Sequence, residues 1–352
     1  MDRPHLSRRV SRVSLLLLFA VIVLTLTPAT AFAGHILDRF NAPNPAVIDP
    51  TWDSYWHPRI SGANIACNAQ NDDHSVGSWI WTVGAVDMAA WGTFNGATRY
   101  DYWGTLVVYQ NGDDIYVTDG SGSYNVRVGF AACANPTIYD HRVVWQDYRN
   151  GNWDLYGCDL DPVTLAPVND FAVCVHSGTQ SKPDLADGWC VWQDNRSGRY
   201  DIYAKDMAGD SIWRVCGNRA AQDSPRTDGN WVVWTDYRNR GYSGDIYGKA
   251  LPTGRERRIC DALKKQWEPV VGGGFVVWTD KRSRRRSRID EAPPCSIRGY
   301  ELSSRDAFVV RDHTGSEIHP EIDEHTVIWI WAIDTHMGSP VYADIEGAHL
   351  QH

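Results

Sequence analysis

Short apolar runs such as Val143-Val144-Trp145, Cys190-Val191-Trp192 and Val232-Val233-Trp234 alternate with clusters of Asp, Asn, Arg and Gly. Each run is too short to build a helix, and nothing beyond residue 33 sustains a 3.6-residue apolar period. The pattern predicts short antiparallel strands separated by tight turns. A first strand follows a proline and ends at a turn such as Asp187-Gly188 or Asp228-Gly229. Val143-Val144-Trp145 lies in a second strand. The turn Arg149-Asn150-Gly151-Asn152 follows, since Asn-Gly readily supplies the positive φ of a hairpin. Asp154-Leu155-Tyr156 opens a third strand and Phe171–Cys174 lies in a fourth.

The unit recurs. Pro136 to Trp145, Pro183 to Trp192, Pro225 to Trp234, Pro269 to Trp278 and Pro320 to Trp329 are each nine residues apart. Pro58 to Cys67 and Tyr100 to Tyr109 keep the interval with one or both ends changed. Seven anchors result, at 67, 109, 145, 192, 234, 278 and 329, spaced 42, 36, 47, 42, 44 and 51 residues apart. Four strands repeating at that interval predict an all-β fold, a single propeller of seven four-stranded blades. The last unit runs out near its third strand, whereas residues 35–40 precede the first unit and belong to no repeat. This N-terminal segment is expected to pair with the last blade and close the ring, removing an open sheet edge.

Residues 1–33 read differently. Arg3, Arg8, Arg9 and Arg12 precede an apolar run from Leu15 to Leu26, and Ala31-Phe32-Ala33 offers a small-x-small cleavage site. This predicts a secretory signal peptide over 1–33 and a propeller domain over 34–352. Loss of Arg3, Arg8, Arg9, Arg12 and Asp2 takes the formal charge from −9 to −12. Such a chain is not built to coat nucleic acid or an anionic membrane. The product is expected to be a monomer released outside the cytoplasm, extracellular or periplasmic, without membrane insertion. All eight Cys lie beyond residue 33, which permits disulfides in an exported chain. Cys174, Cys216 and Cys260 each sit nine residues before a repeat proline, so they fall in different blades and are not expected to pair with one another.

The phrase VVWQDYRNGNWDLYGCDL (143–160) resembles the repeat of TolB-like propellers, whose blades read as an apolar strand, S/T/Q-D-x-R-x-G, then D/E-I-Y-x-x-D. Trp145, Asp147, Arg149, Gly151, Asp154, Tyr156 and Asp159 stand at those places, as do Trp192, Asp194, Arg196, Gly198, Asp201, Tyr203 and Asp206. The close match covers about residues 136–251; the sixth unit loses the Gly and the Ile-Tyr. The resemblance implies an exported or surface-associated propeller. It embraces non-catalytic proteins and enzymes such as oligogalacturonate lyases, so it implies the fold more firmly than the function.

Side chains at Trp, Trp+2 and Trp+4 share one strand face. The Arg fork is therefore expected to reach the strand Asp and the Asp opening the third strand, as a hairpin clasp. The clasps are Asp147, Arg149 and Asp154; Asp194, Arg196 and Asp201; and Asp236, Arg238 and Asp245. A group repeated in blade after blade answers to the fold, whereas a site is needed once. Departures from the repeat are the better binding candidates. One is the basic finger Lys281, Arg282, Arg284, Arg285, Arg286 and Arg288 in the sixth hairpin, suited to an acidic glycan or acidic protein surface. Its bland alternative is a solvated loop tip. The other is an aromatic cluster with Trp52, Trp56, Trp79, Trp81, Trp91, Tyr100, Tyr102 and Trp103, suited to stacking on sugars or to packing an irregular blade.

Signs of catalysis are sparse. No nucleophile elbow, HExxH pair, phosphate loop or calcium loop occurs, and Asn111-Gly112-Asp113-Asp114 reads as a hairpin turn. His313, His319, His325 and His336 cluster late with Asp323, Glu324 and Asp334, at spacings that match no metal motif. No metal or cofactor is expected. The leading expectation is a non-catalytic module binding a protein or polysaccharide. The alternative is a polysaccharide lyase or glycoside hydrolase working at the central channel, which would need paired carboxylates or converging histidines at one mouth.

Overall fold

The computed structural model describes residues 35–41, 56–70, 76–83, 89–90, 99–120, 125–129, 132–239, 243–281, 295–312, 316–336 and 339–352. These form seven four-stranded antiparallel sheets, the blades of a propeller. Blades 1 to 6 use four consecutive strands each. The inner strands are Trp56–Ser61, Tyr100–Trp103, Cys133–Tyr139, Gln180–Ala186, Gln222–Thr227 and Gln266–Gly272. Blade 7 takes Ser316–Asp323, Thr326–His336 and Ser339–Leu350 from the C-terminal part of the chain. Its outer strand is Ile36–Asn41, paired from Ile36↔Leu350 to Asn41↔Glu346. The N-terminal strand thus closes the ring, as the leftover segment predicted. The signal-peptide expectation falls on residues outside those described. Among the described residues, no helix is long and apolar enough to cross a membrane.

All seven anchors lie on second strands and are buried, Trp145, Trp192, Trp234 and Trp329 to within 1% of complete burial. Each anchor indole packs backwards onto the preceding blade: Trp192, for example, sits with Val144 and Leu155 of blade 3. A buried Trp removes roughly 200 Å² from water, about 5 kcal/mol as an upper figure. The repeated Trp is therefore the mortar between blades, and polar stitches reinforce it. The backbone N–H groups of Asn135, Lys182 and Ser224 donate to the side-chain oxygens of Gln110, Gln146 and Gln193 in the preceding blade, at 3.3, 3.1 and 3.3 Å.

The repeat proline marks a bulge. In blades 3 to 7 the pairing with the second strand shifts register beside it. The residue just before the proline then adopts positive φ: Asn135 (48°), Lys182 (50°), Ser224 (53°), Glu268 (54°) and His319 (52°). Proline disfavours the right-handed region for its predecessor, and a bulge re-aims the side chains next to it. Here it turns them toward the axis of the ring.

Candidate functional site

The first strands surround a central channel with two mouths. The mouth on the side of the second-to-third-strand hairpins is a cavity of about 250 Å³. Its rim carries Arg99, Asn135, Lys182, Ser224, Glu268 and His319, and the repeat prolines stand between them. The opposite mouth, beside the first-to-second-strand turns, carries Ser61, Tyr139, Asp228, Asn230, Asp323 and Glu324. In blades 3 to 7 the residue before the proline faces the hairpin-side mouth, and the residue after it faces the channel.

The charged ones among them, Asp184, Arg226 and Glu321, form a continuous chain of ion pairs with Arg59 of blade 1 and Asp101 of blade 2. Arg59 Nε lies 3.3 Å from Asp101 Oδ1, and Arg59 Nη1 donates to Glu321 Oε1 at 2.5 Å. Arg226 Nη2 lies 2.6 Å from Glu321 Oε2, and its Nε lies 3.2 Å from Asp184 Oδ1. Five blades are thereby joined, and Arg226 of blade 5 reaches past Val270 of blade 6 to blade 7. Neighbouring donors hold the carboxylates in place: Thr137 Oγ1 donates to Asp101 at 2.8 Å and Thr227 N to Asp184 at 2.7 Å. Burial, opposed by the Arg226 charge, pushes the Asp184 carboxyl up to about 6. Asp184 and Glu321 share one guanidinium, and the chain sets three carboxylates against two guanidinium groups. At the rim, Lys182 Nζ contacts Asp223 Oδ1 at 2.6 Å, and His319 Nδ1 contacts Glu268 Oε2 at 3.1 Å. Burial works against a charged His319, but the hydrogen bond and charge of Glu268 outweigh it and raise its pKa. Arg99 is exposed and has no ion-pair partner among the described residues.

The clasps sit away from this channel. Asp147 accepts from Trp145 Nε1 (3.1 Å), Arg149 Nε (2.9 Å) and Arg149 Nη2 (2.6 Å), while the guanidinium lies 3.8 Å from the Tyr156 ring centroid. Asp194, Arg196 and Tyr203 repeat the arrangement, as do Asp236, Arg238 and Tyr247. One detail departs from expectation: the hairpin Arg does not reach the Asp that opens the third strand. Shorter turn side chains, and in blade 4 also Arg214 of the outer strand, take that role, because the guanidinium of the hairpin Arg is spent on the strand Asp and the Tyr ring. Asp154 receives Asn150 Nδ2 (2.7 Å) and Asn152 Nδ2 (2.9 Å). Asp201 receives Ser197 Oγ (2.6 Å) and Arg214 Nη2 (2.7 Å), and Asp245 receives Asn239 Nδ2 (2.7 Å).

Among the described residues, which include all eight cysteines, no disulfide is formed. Cys174, Cys216 and Cys260 occupy matching register positions on three different outer strands, opposite Leu155, Ile202 and Ile246. Burial raises their pKa to about 11, 12 and 11. Two of them accept from the clasp Arg of the next blade, Cys174 from Arg196 at 2.9 Å and Cys216 from Arg238 at 3.1 Å.

Of the predicted binding residues, Lys281 ends the second strand of blade 6, where its N–H bonds Lys265 O at 2.9 Å. Arg282, Arg284, Arg285, Arg286, Arg288, Trp52 and Trp91 lie outside the described residues. Trp56, Trp79 and Trp81 are strand residues whose side chains are likewise outside the description. Tyr100 and Tyr102 are buried in the packing between blades 1 and 2, while Trp103 lies beside Tyr139 at 5.7 Å between ring centroids. Of the late histidines, His313 lies outside the described residues, His319 joins the hairpin-side rim and His325 lies on the opposite side. Among the described residues no group of three or more His, Cys, Asp or Glu is arranged to hold a metal. Sequence reasoning missed the channel ring, although a signal was there: beside a constant proline, the flanking positions change chemistry in every unit.

No family model matches the chain, and no curated protein matches it. Solved structures do. The β-propeller domain of the Trilobed protease from Pyrococcus furiosus, described as having an open velcro topology, matches with a TM-score of 0.59 at 10% identity, over 79% of this chain and 91% of that one. An oligogalacturonate lyase in complex with manganese matches with a TM-score of 0.57 at 11% identity, over 89% and 96%. A putative TolB from Agrobacterium tumefaciens matches with a TM-score of 0.47 at 15% identity, over 64% and 84%. At these identities the likeness is one of fold: the chain is a seven-bladed β-propeller.

Proposed function

We propose that this chain is an exported, TolB-like binding or scaffold propeller that engages an acidic protein or polysaccharide through its hairpin side. One observation carries the reading. Around the hairpin-side mouth the repeat fixes the backbone and varies the side chain, presenting Asn135, Lys182, Ser224, Glu268 and His319 from matching bulges. Varied groups on a rigid frame are what recognition needs. Exposed Arg99, without an ion-pair partner among the described residues, adds positive charge at this mouth, and the strands flanking the basic finger meet on the same side, at Lys281↔Cys295. On a chain whose charge is −9, or −12 once residues 1–33 are removed, such local basicity favours acidic ligands.

Binding of polygalacturonate by the mature chain, followed by calorimetry, tests this. Affinity should fall as salt rises, and Arg284→Ser, Arg285→Ser and Arg286→Ser together should weaken it. Equal binding by the triple variant overturns the role of the finger. The enzymatic alternative rests on Asp184, whose raised carboxyl shares Arg226 with Glu321. It requires turnover of an acidic glycan that Asp184→Asn abolishes. Turnover of that kind would replace the scaffold reading.

A further inference from the structure

Near the ring closure, on the side opposite the hairpin-side mouth, two exposed imidazoles face one another. His325 follows the first strand of blade 7, and His352 follows the third. Their Nε2 atoms are 3.1 Å apart and their rings nearly perpendicular, at 89°. The His352 ring is fixed from behind. Glu301 Oε1 accepts from His352 Nδ1 at 2.8 Å, which places that ring's proton on Nδ1 and leaves the Nε2 lone pair toward His325. Phe275 stacks on the His352 ring at 4.7 Å and meets His325 edge-on at 5.9 Å. Gly274 leaves room for the imidazole, since a Cβ there would come within 3.0 Å of His352 Cε1.

Glu301 is itself held. Ser303 and Ser304 hydroxyls donate to it at 2.7 and 2.8 Å, and His35 Nε2 lies 3.2 Å away. A carboxylate hydrogen-bonded to the back of a histidine whose other nitrogen faces outward is how proteins orient a metal-ligating imidazole. Two nitrogens bound at about 2.05 Å to one tetrahedral ion lie about 3.3 Å apart, close to the separation here.

We propose that His325 and His352 form an open, two-histidine site for a late first-row transition cation, with Glu301 as the positioning residue and solvent completing the coordination. Imidazole pairs select Cu²⁺, Ni²⁺ and Zn²⁺ over hard cations. An ion there would tie the end of the third strand of blade 7 to its first-to-second-strand turn, beside the closing strand.

The test uses the untagged mature chain, titrated with Zn²⁺ by calorimetry and scanned for Tm. One equivalent should bind and raise Tm, Ni²⁺ should do the same, and Mg²⁺ should do neither. His325→Gln, at an exposed position, should keep the metal-free Tm yet lose the Zn²⁺ response, and His352→Gln should lose it too. Glu301→Gln should weaken binding by about 10- to 100-fold. His349→Gln, whose partner is Asp38, should leave it unchanged. Absence of binding, or one-equivalent binding that survives in both His325→Gln and His352→Gln, overturns the site; the histidines are then only hydrogen-bonded.

Discussion

Blades 4 and 7 hold the same indole in the same way, with residues drawn from different places. In blade 4, Trp192 donates to Asp194 at 3.2 Å two residues on, and Arg196 of the same hairpin pairs with that carboxylate at 2.5 Å. In blade 7 the positions two and four beyond Trp329 are Trp331 and Ile333. The indole donates instead to Glu346 on the neighbouring strand, at 3.1 Å, and Arg311 approaches Glu346 at 3.0 Å from the outer strand of blade 6. Arg311 stands opposite Ile297, the register position that Cys174, Cys216 and Cys260 occupy in blades 3 to 5. Where the hairpin fails to supply a cation, the preceding blade supplies one from the slot that elsewhere holds a thiol. A contact rebuilt from unrelated positions is a demand of the fold: a buried indole N–H needs an acceptor, and a buried carboxylate needs a cation.

The largest expected effect comes at the one blade whose strands are not consecutive. Deleting residues 34–42 removes the outer strand of blade 7 and its anchors, including the Arg39 Nη2 bond to Val310 O at 3.0 Å. Tm should fall by roughly 10 °C or more, whereas shortening the exposed turn around Leu263 should have little effect. An unchanged melting temperature would show that blade 7 does not need its N-terminal strand.

Next in size are the carboxylates. Asp194→Ala in blade 4 and Glu346→Ala in blade 7 each leave a largely buried guanidinium and indole N–H without their acceptor, at a cost of about 3 kcal/mol. Urea unfolding should give similar losses for the two. A loss at Glu346 of less than about 1 kcal/mol would mean that blade 7 only imitates the contact. The shared slot sharpens the point: Arg311→Met should cost about 2 kcal/mol by stranding Glu346, and Cys216→Ala less than about 1 kcal/mol. If Cys216→Ala costs more, the thiol is a working part of the clasp.

Much of this was legible because a propeller writes its constraints seven times. The nine-residue interval, begun by a proline in six units and by Tyr100 in the second, located every second strand, and the orphan segment at 35–40 located the seam. What stayed hidden was whatever depends on strands distant in sequence. Glu346 and Arg311 follow no local pattern; they become equivalent to Asp194 and Arg196 only once strands pair. The ion chain from Asp101 to Asp184 likewise unites residues from five units, each ordinary in its own. The basic finger stood out in the sequence because it is contiguous, while the channel ring, one residue per blade, did not.

The smallest prediction separates rim from frame. His319 and Glu268 occupy the bulge position that Asn135 fills in blade 3, and both side chains are about one-third exposed. Pairing with Glu268 raises the His319 pKa above its ordinary 6.5. The folded chain thus binds the proton more tightly than the unfolded chain does. The pair's contribution is fully present below pH 6.5 and disappears as pH rises through the elevated folded value. His319→Asn keeps a residue that tolerates positive φ but removes the charge. It should be less stable than the parent by less than about 1 kcal/mol at pH 5.5 and indistinguishable from it at pH 9, as read from urea midpoints. A deficit persisting at pH 9 would mean that His319 serves the bulge rather than the rim, and that blade 7 departs from blade 3 in its frame as well as in its side chains.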